Sequence, residues 1–211
     1  MTARGFQAVV KAWTDAGIIP VFAAGNTSGE VPGAGTISNP ANYANVLAVA
    51  AVDRDKEIGN FSNKGPSAFE NAGQKPELSA PGVQVRSVDS NGNYVSWNGT
   101  SMAAPHVTGV VALVRAAAKK YNCTEKVDTL EEVRKLLEET AEPLTDSTYT
   151  ESPNIAYGYG LVNAYDAIAK LAGRDSVMLT GEVLQDGEEC RYADCCIRIC
   201  RMRAISAETC R

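Results

Sequence analysis

The first fifty residues place apolar side chains at helical spacing and then in unbroken runs. Apolar side chains recur every three or four residues near the start, at Phe6, Val9, Val10 and Trp13. Gly17 follows, and a glycine can adopt the left-handed conformation that ends a helix, so the pattern predicts an amphipathic helix over residues 5–16. Residues 18–24, interrupted only by Pro20, and residues 46–52 are continuous apolar runs that predict strands buried on two faces. A long helix followed by fully apolar strands is typical of a parallel α/β sheet.

The connecting segments are polar and rich in turn residues. Residues 27–44 contain many Gly, Pro, Ser and Asn without an apolar period, which predicts a surface loop at the carboxyl end of the first strand. Ligands collect at such ends in open α/β sheets. Residues 53–79 are expected to be mostly loop. A short strand around residues 83–85 is then expected to form a hairpin with residues 94–95.

Three helices are predicted in the second half. Residues 102–120 carry small and apolar side chains on nearly all faces, which predicts a central helix running through the core. Residues 130–139 place four apolar side chains on one stripe, and residues 162–171 predict a further short helix. The sequence therefore predicts one α/β domain.

Composition narrows the range of partners. The chain has 211 residues with 45% hydrophobic content, enough to bury a sizeable core. Its formal charge of −5 provides no polybasic surface, so neither nucleic acid nor an anionic membrane is expected as a partner. Apolar runs stay well below the roughly 18 residues that a membrane-spanning helix needs. Residues 1–5 lack the layout of a signal peptide.

The most specific motif lies at residues 98–106, which read Asn-Gly-Thr-Ser-Met-Ala-Ala-Pro-His. This segment resembles the nucleophile segment of the subtilisin-like serine peptidases, the subtilases or peptidase family S8. Further segments that resemble the family, in the family's order, are residues 39–53, 61–66, 78–83 and 158–164. The resemblance covers roughly residues 5–171. It implies a subtilisin-like parallel sheet flanked by helices, incomplete at the N-terminus, and hydrolysis of peptide bonds through an acyl-enzyme.

The resemblance assigns roles to individual residues. Ser101 corresponds to the nucleophile, and Asn26 to the side-chain donor of an oxyanion hole that also uses the Ser101 N–H. The alternative for Ser101 is a serine that merely caps a helix. The residues expected to bind substrate are Ala23, Ala24, Gly25 and Ser38. Ser38 would form the base of a pocket for medium or large apolar side chains, unless it is only a loop serine.

The catalytic base is missing from the sequence. The family's order is Asp, His, Ser, and the first two members lie upstream of the asparagine segment. The single histidine, His106, lies five positions after Ser101 and projects about 140° away from it around the helix axis, so it is expected to be structural. A lysine base, known in other serine hydrolases, has no candidate here at a suitable position. The chain therefore resembles the C-terminal part of a catalytic domain.

Two classes of function follow. The first is a serine endopeptidase acting on polypeptides, inactive until the missing N-terminal half provides Asp and His. The alternative is an inactive truncated chain or pseudoenzyme that acts as a binding module. An esterase with a different base fits poorly. Subtilases are mostly exported, so an extracellular location is favoured over a cytoplasmic one.

Calcium is a cofactor that the family often uses. The acidic side chains Asp53, Asp55 and Glu57 are the candidates, but their spacing matches no recognised calcium loop, and solvated charge is the favoured interpretation.

The end of the chain departs from the family. Residues 1–172 are expected to form the peptidase domain, and residues 173–211 a Cys- and Arg-rich tail or a truncated appended domain. Five of the six cysteines lie after residue 189, an odd number that leaves one over unless it pairs with Cys123 or another chain. The tail has no C-x-x-C pair, which argues against zinc. Two further interpretations of residues 173–211 stay open, an unrelated extension and a reading-frame artefact.

Overall fold

A computed structural model describes residues 5–69 and 71–173, together with two short antiparallel strands at Leu184–Gln185 and Glu188–Glu189. The chain divides into two units, residues 1–175 and residues 176–211. The first unit is a mixed α/β structure whose parallel sheet is flanked by helices, as predicted. Most of the predicted tail lies outside the described residues, so its boundary and its cysteine pairing stay predictions.

The sheet has three parallel strands in the order β1 (Val21–Ala23), β2 (Leu47–Val52) and β3 (Leu78–Pro81). Every residue of β2 is buried, which confirms the prediction from its apolar run. The same prediction is wrong for β1, whose residues are only half-buried because the strand has a single neighbour in the sheet. The sheet is therefore open along β1 in the described part of the chain.

Strand β3 lies partly within the segment predicted to be mostly loop. Its four residues, Leu-Ser-Ala-Pro, have neither a continuous apolar run nor strict alternation. It becomes a strand because Val49 to Val52 of β2 pair with it along its whole length. The predicted hairpin is confirmed, with β4 at Val85–Val88 and β5 at Tyr94–Trp97.

Helix α1 (Gln7–Asp15) confirms the first predicted helix, and Gly17 ends it with a φ of 77°. The Ile18 N–H donates to the Trp13 carbonyl, as the left-handed helix ending requires. Its apolar stripe, however, is mostly exposed: Val10 is buried, whereas Phe6 is 61% exposed.

Helix α2 (Thr100–Lys120) contacts all three strands of the sheet. Its buried residues include Ala103, Val107, Val111, Val114 and Ala118. The prediction of burial on nearly all faces is wrong, because the opposite face is exposed and includes Leu113 at 55%. Among the described helices, α2 alone has the length and hydropathy to cross a membrane, but its packing against the sheet assigns it to the domain core.

Helix α2 also begins two residues earlier than predicted. Ser101 is therefore the second residue of the helix and does not precede it. Pro105 becomes the sixth residue, beyond the first turn in which a missing N–H is harmless. Pro105 therefore removes an intrahelical bond, since the Ser101 carbonyl has no amide donor at the usual position.

A short 3₁₀ helix at Thr124–Lys126 and two α-helices follow, α3 at Leu130–Thr140 and α4 at Ala164–Leu171. Thr129 and Glu132 form a reciprocal capping box at the start of α3. The Asn163 side chain accepts a hydrogen bond from the Asp166 N–H at the start of α4. Both helices confirm predictions made from apolar spacing.

A buried ionic cluster lies beside the sheet. Glu77 is buried inside it, at 1% exposure, with one carboxylate oxygen 2.5 Å from the Lys75 ammonium and the other accepting the Ala48 N–H. Arg134 of α3 approaches the same carboxylate. Burial, together with the negative charges of Glu77 and Glu131, raises the pKa of the neighbouring Glu138 to about 7.

Candidate active site

The turn before α2 is fixed against the carboxyl ends of the strands. The Gly99 N–H donates to the Gly82 carbonyl at 2.8 Å, and the Gly82 N–H donates to the Val52 carbonyl at 2.9 Å. A Cβ atom on Gly82 would lie 2.5 Å from the Ala51 Cβ, so only glycine allows this close approach. The N-terminus of α2 is thereby held at the end of the sheet where ligands usually bind.

Ser101 is exposed within the first turn of α2. The first N–H groups of a helix have no acceptor inside the helix, and they form the positive end of its dipole. The Ser101 N–H follows this rule and has no hydrogen-bond partner among the described residues. The hydroxyl and an available N–H thus belong to one exposed residue.

Asn26 follows β1 and reaches the same turn. Its side-chain oxygen Oδ1 accepts hydrogen bonds from the Thr100 N–H at 2.9 Å and from the Thr100 hydroxyl at 3.1 Å. The amide nitrogen Nδ2 points the other way, 3.6 Å from the position that a Cβ on Gly99 would occupy. No acceptor for Nδ2 is found among residues 5–69 and 71–173. A side-chain donor is therefore available directly beside the residue pair that precedes Ser101.

Thr100 is the residue that sets this orientation, and sequence reasoning missed it. Its side chain is fully buried, and its hydroxyl donates to Asn26 while accepting from the Gly25 N–H at 3.1 Å. With both Thr100 donors on Oδ1, the Asn26 amide has only one arrangement that satisfies its oxygen. The available signal was a hydroxyl residue next to the proposed nucleophile, but its partners lie more than 70 positions away.

The residues expected to bind substrate, Ala23, Ala24, Gly25 and Ser38, lie together beside Asn26 and are called the substrate wall below. The Ser38 N–H donates to the Ala24 carbonyl at 2.8 Å. Gly25 has a φ of +104°, and a Cβ there would lie 2.1 Å from the Ser38 hydroxyl oxygen. Ala24, Gly25 and Ser38 are therefore in direct contact, while Ala23 lies one residue earlier in β1. Ser38 is exposed, whereas Ala24 is fully buried.

Asn63 braces this wall and was also missed. It is 4% exposed, and its N–H donates to the Gly25 carbonyl at 3.0 Å. Its side chain donates to the Ser38 hydroxyl at 3.2 Å and accepts from the Thr27 hydroxyl at 2.7 Å. One buried side chain therefore links the residues on either side of the Gly25–Asn26 segment.

The ring of His106 bonds to the backbone of its own helix, as expected of a structural histidine. Its Nδ1 lies 2.8 Å from the Met102 carbonyl one turn earlier in α2, a contact in which the ring nitrogen donates. The side chain is half-buried. It is the only histidine of the 211 residues, so this chain does not contain a histidine base for Ser101.

The candidate calcium residues do not form a cage. Asp53 uses one carboxylate oxygen to accept the N–H groups of Asp55 and Glu57, both at 2.9 Å. Within the described ranges, no group of three or more His, Cys, Asp or Glu side chains converges to hold a metal ion. These residues do not fit a calcium site, and no step of catalysis is derived through one.

Comparison with known proteins adds independent information. The sequence pattern of the Subtilase family matches residues 2–160. Bacillopeptidase F of Bacillus subtilis (strain 168) is 48% identical over 166 residues, which are 78% of this chain and 11% of that protein. Subtilisin DY of Bacillus licheniformis is 43% identical over 157 residues, which are 74% of this chain and 48% of that protein. The chain thus spans less than half the length of these relatives.

Solved structures give the same result for the fold. The prenylagaramide maturation protease PagA aligns with a TM-score of 0.65 and 28% identity, covering 80% of this chain and 56% of that one. The patellamide maturation protease PatA aligns with a TM-score of 0.64 and the same identity, covering 80% of this chain and 57% of that one.

Proposed function

Because this chain belongs to the subtilase family, we propose that it provides the nucleophile and the oxyanion hole of a serine endopeptidase. Its substrates are polypeptides, as expected of a peptidase family. The observation that carries the proposal is the orientation of Asn26, whose oxygen is held by Thr100 while its amide faces the turn before Ser101.

The chemistry follows from these groups. The Ser101 hydroxyl attacks the peptide carbonyl and gives its proton to a histidine base supplied from outside this chain. The oxyanion that develops accepts hydrogen bonds from the Ser101 N–H and the Asn26 amide. Collapse breaks the C–N bond, and the base returns the proton to the leaving amine. Water then hydrolyses the acyl-enzyme and releases the acid product.

Two features favour these roles for this pair of donors. Both N–H groups are without acceptors among the described residues, so neither has to give up a bond when an oxyanion forms. Gly82 and Gly99 fix the turn before Ser101, and Thr100 holds the Asn26 side chain, before substrate arrives. Preorganised donors of this kind usually make the largest contribution to acyl transfer.

The partner that completes the site is a polypeptide segment carrying Asp and His. Exposed apolar side chains on the first unit provide surfaces for it, among them Trp13 at 40% and Leu113 at 55% exposure. The edge of β1 that no described strand pairs with offers backbone hydrogen-bond groups close to Asn26. The resemblance to exported subtilases favours an extracellular location, which fractionation of the source cells would test.

A hybrid enzyme tests the proposal. The catalytic-domain segment of Bacillopeptidase F that precedes its match to this chain is fused ahead of residue 1, and hydrolysis of a peptide amide is measured. The hybrid should hydrolyse the peptide, and Ser101→Ala should reduce kcat by about 10⁶-fold, a value taken from subtilisin. Asn26→Leu should reduce kcat by about 10²- to 10³-fold, again by analogy with subtilisin.

His106→Gln is the matched control, because a structural histidine leaves the chemistry intact if the domain folds. A folded hybrid without peptidase activity would contradict the proposal, as would activity that survives Ser101→Ala. The second candidate function is a non-catalytic binding module, favoured by the exposed apolar face of α1. A biological activity of the chain that is unchanged in Ser101→Ala would support that candidate.

A further inference from the structure

A pocket of about 430 Å³ opens one residue beyond Asn26. Its walls are the loop from Thr27 to Val31 on one side and Asn60 and Phe61 on the other. The volume falls within the range of ligand sites, roughly 300–1,000 Å³. The pocket adjoins the proposed oxyanion hole but contains none of the residues that the family resemblance assigned to substrate binding.

The loop that forms one wall is held at both ends by buried groups. At its start, the Thr27 N–H donates to the Phe61 carbonyl at 2.9 Å, and the Thr27 hydroxyl donates to Asn63. At its far end, the ammonium group of Lys64 donates to the Pro32 carbonyl at 3.0 Å, and Lys64 is only 3% exposed. Both ends of the loop are therefore held in place by hydrogen bonds, and Glu30 and Val31 lie in the middle of it.

The wall combines one negative charge with apolar surface. Glu30 is the only ionisable residue that lines the pocket. Glu30 takes part in none of the ion pairs of the described residues, and the Lys64 ammonium at the end of the loop is bound to the Pro32 carbonyl. Val31 is 67% exposed, and the ring of Phe61 adds an aromatic surface. A long aliphatic side chain with a cationic end matches this surface, because its stem can pack while its charge meets the carboxylate.

We propose that this pocket is a subsite for a lysine or arginine side chain of the polypeptide substrate, with Glu30 as its charge partner. The proposal rests on the proposed peptidase function, since the pocket can contact a bound substrate only if Asn26 and Ser101 form the active site. An acidic side chain at the same substrate position is disfavoured by repulsion from Glu30. The subsite therefore selects among polypeptides by charge, in addition to the uncharged wall at Ser38.

The hybrid enzyme described above measures this selectivity. Peptides that differ only in having Lys, Gln or Glu are compared at each of the three positions before and after the scissile bond. At one position, kcat/KM should be about 1.5- to five-fold higher for Lys than for Glu, the range expected of a solvent-exposed charge pair. Glu30→Gln should abolish the difference, and 1 M NaCl should weaken it by screening.

Glu125→Gln is the matched control. Glu125 is an exposed glutamate beyond the far end of α2, which is roughly 30 Å long, and its substitution should leave the preference unchanged. A charge preference that persists in Glu30→Gln, or the lack of any preference at all six positions, would overturn the subsite. Hydrolysis of the Gln peptides in either case would show that the peptidase proposal itself stands.

A binding measurement covers the case in which the hybrid is inactive. Fluorescently labelled Lys and Glu peptides are titrated with the unmodified chain at low salt, and anisotropy gives their Kd values. Tighter binding of the Lys peptide that is lost in Glu30→Gln supports the subsite independently of catalysis. Equal Kd values for the two peptides overturn it.

Discussion

Substituting Gly25 with alanine tests how tightly the segment before Asn26 is packed. A Cβ at this position would lie 2.1 Å from the Ser38 hydroxyl oxygen and 2.7 Å from the Asn63 amide nitrogen. Non-bonded carbon and polar atoms do not approach this closely, so the wall must move or the Asn63–Ser38 hydrogen bond must break. The backbone adds to the problem, because Gly25 has a φ of +104°.

The expected magnitude has two parts. The left-handed backbone costs about 1–2 kcal/mol for a residue with a Cβ. Overpacking of a well-packed site costs a further ~1–3 kcal/mol. Gly25→Ala should therefore lower the free energy of unfolding by about 2–5 kcal/mol, a large share of the ~5–15 kcal/mol that stabilises a typical protein.

The chain offers a matched control at Gly29. It has a φ of +90°, but a Cβ there would meet no atom within 4 Å. Gly29→Ala should therefore show only the backbone part, about 1–2 kcal/mol. Urea denaturation of both variants, followed by circular dichroism, separates the two contributions.

A second variant identifies the contact responsible. Ser38→Gly removes the nearest atoms, so the double variant Gly25→Ala/Ser38→Gly should recover part of the loss, with a coupling of ~1–3 kcal/mol. Equal destabilisation by Gly25→Ala and Gly29→Ala would refute the reasoning, because it would show that the wall yields without cost.

Three further predictions concern stability. The raised pKa of Glu138, about 7 against an ordinary 4.5, means that its ionisation opposes folding progressively between those pH values. Glu138→Gln should therefore raise the free energy of unfolding by ~1–2 kcal/mol at pH 8, a value reduced to allow for the partial exposure of this side chain, and should have little effect near pH 5. Urea titrations at both pH values measure this, and the control Glu125→Gln should leave the free energy of unfolding unchanged at both. Glu77→Gln leaves the buried Lys75 ammonium without its counter-charge and should cost about 3–5 kcal/mol by the same assay, whereas a loss below 1 kcal/mol would contradict the ionic cluster. Thr100→Val removes the hydroxyl shared by two partners and should cost ~1–3 kcal/mol in thermal or urea unfolding, while Thr100→Ser, which keeps it, should stay close to the original chain.

Much of the first unit was predictable because its signals are local. The apolar run of β2 indicates a strand buried on both faces, and burial of all its residues confirms this. The apolar stripe of α3 lies within one short segment and predicts its helix without reference to the rest of the chain. Residues 98–106 identify the family, which the match to residues 2–160 bears out.

Other features depend on which segments meet. Strand β3 has no pattern of its own and forms because β2 pairs with it. The exposed faces of α1 and α2 carry apolar side chains, so their periodicity predicted a burial that the described chain does not provide. Periodicity shows which side chains share a face, but it does not show what covers that face.

The sequence by itself determined the family, the nucleophile candidate Ser101, the oxyanion candidate Asn26 and the lack of a second histidine that could act as base. Only the tertiary structure decided how these residues are held. Thr100 and Asn26 are 74 positions apart, and Asn63 and Ser38 are 25 apart, yet each pair shares a hydrogen bond. Parallel strands bring all their carboxyl ends to one edge of the sheet, so loops distant in sequence meet there. The orientation of the Asn26 amide and the charge of the Glu30 pocket are consequences of that meeting, which no local pattern contains.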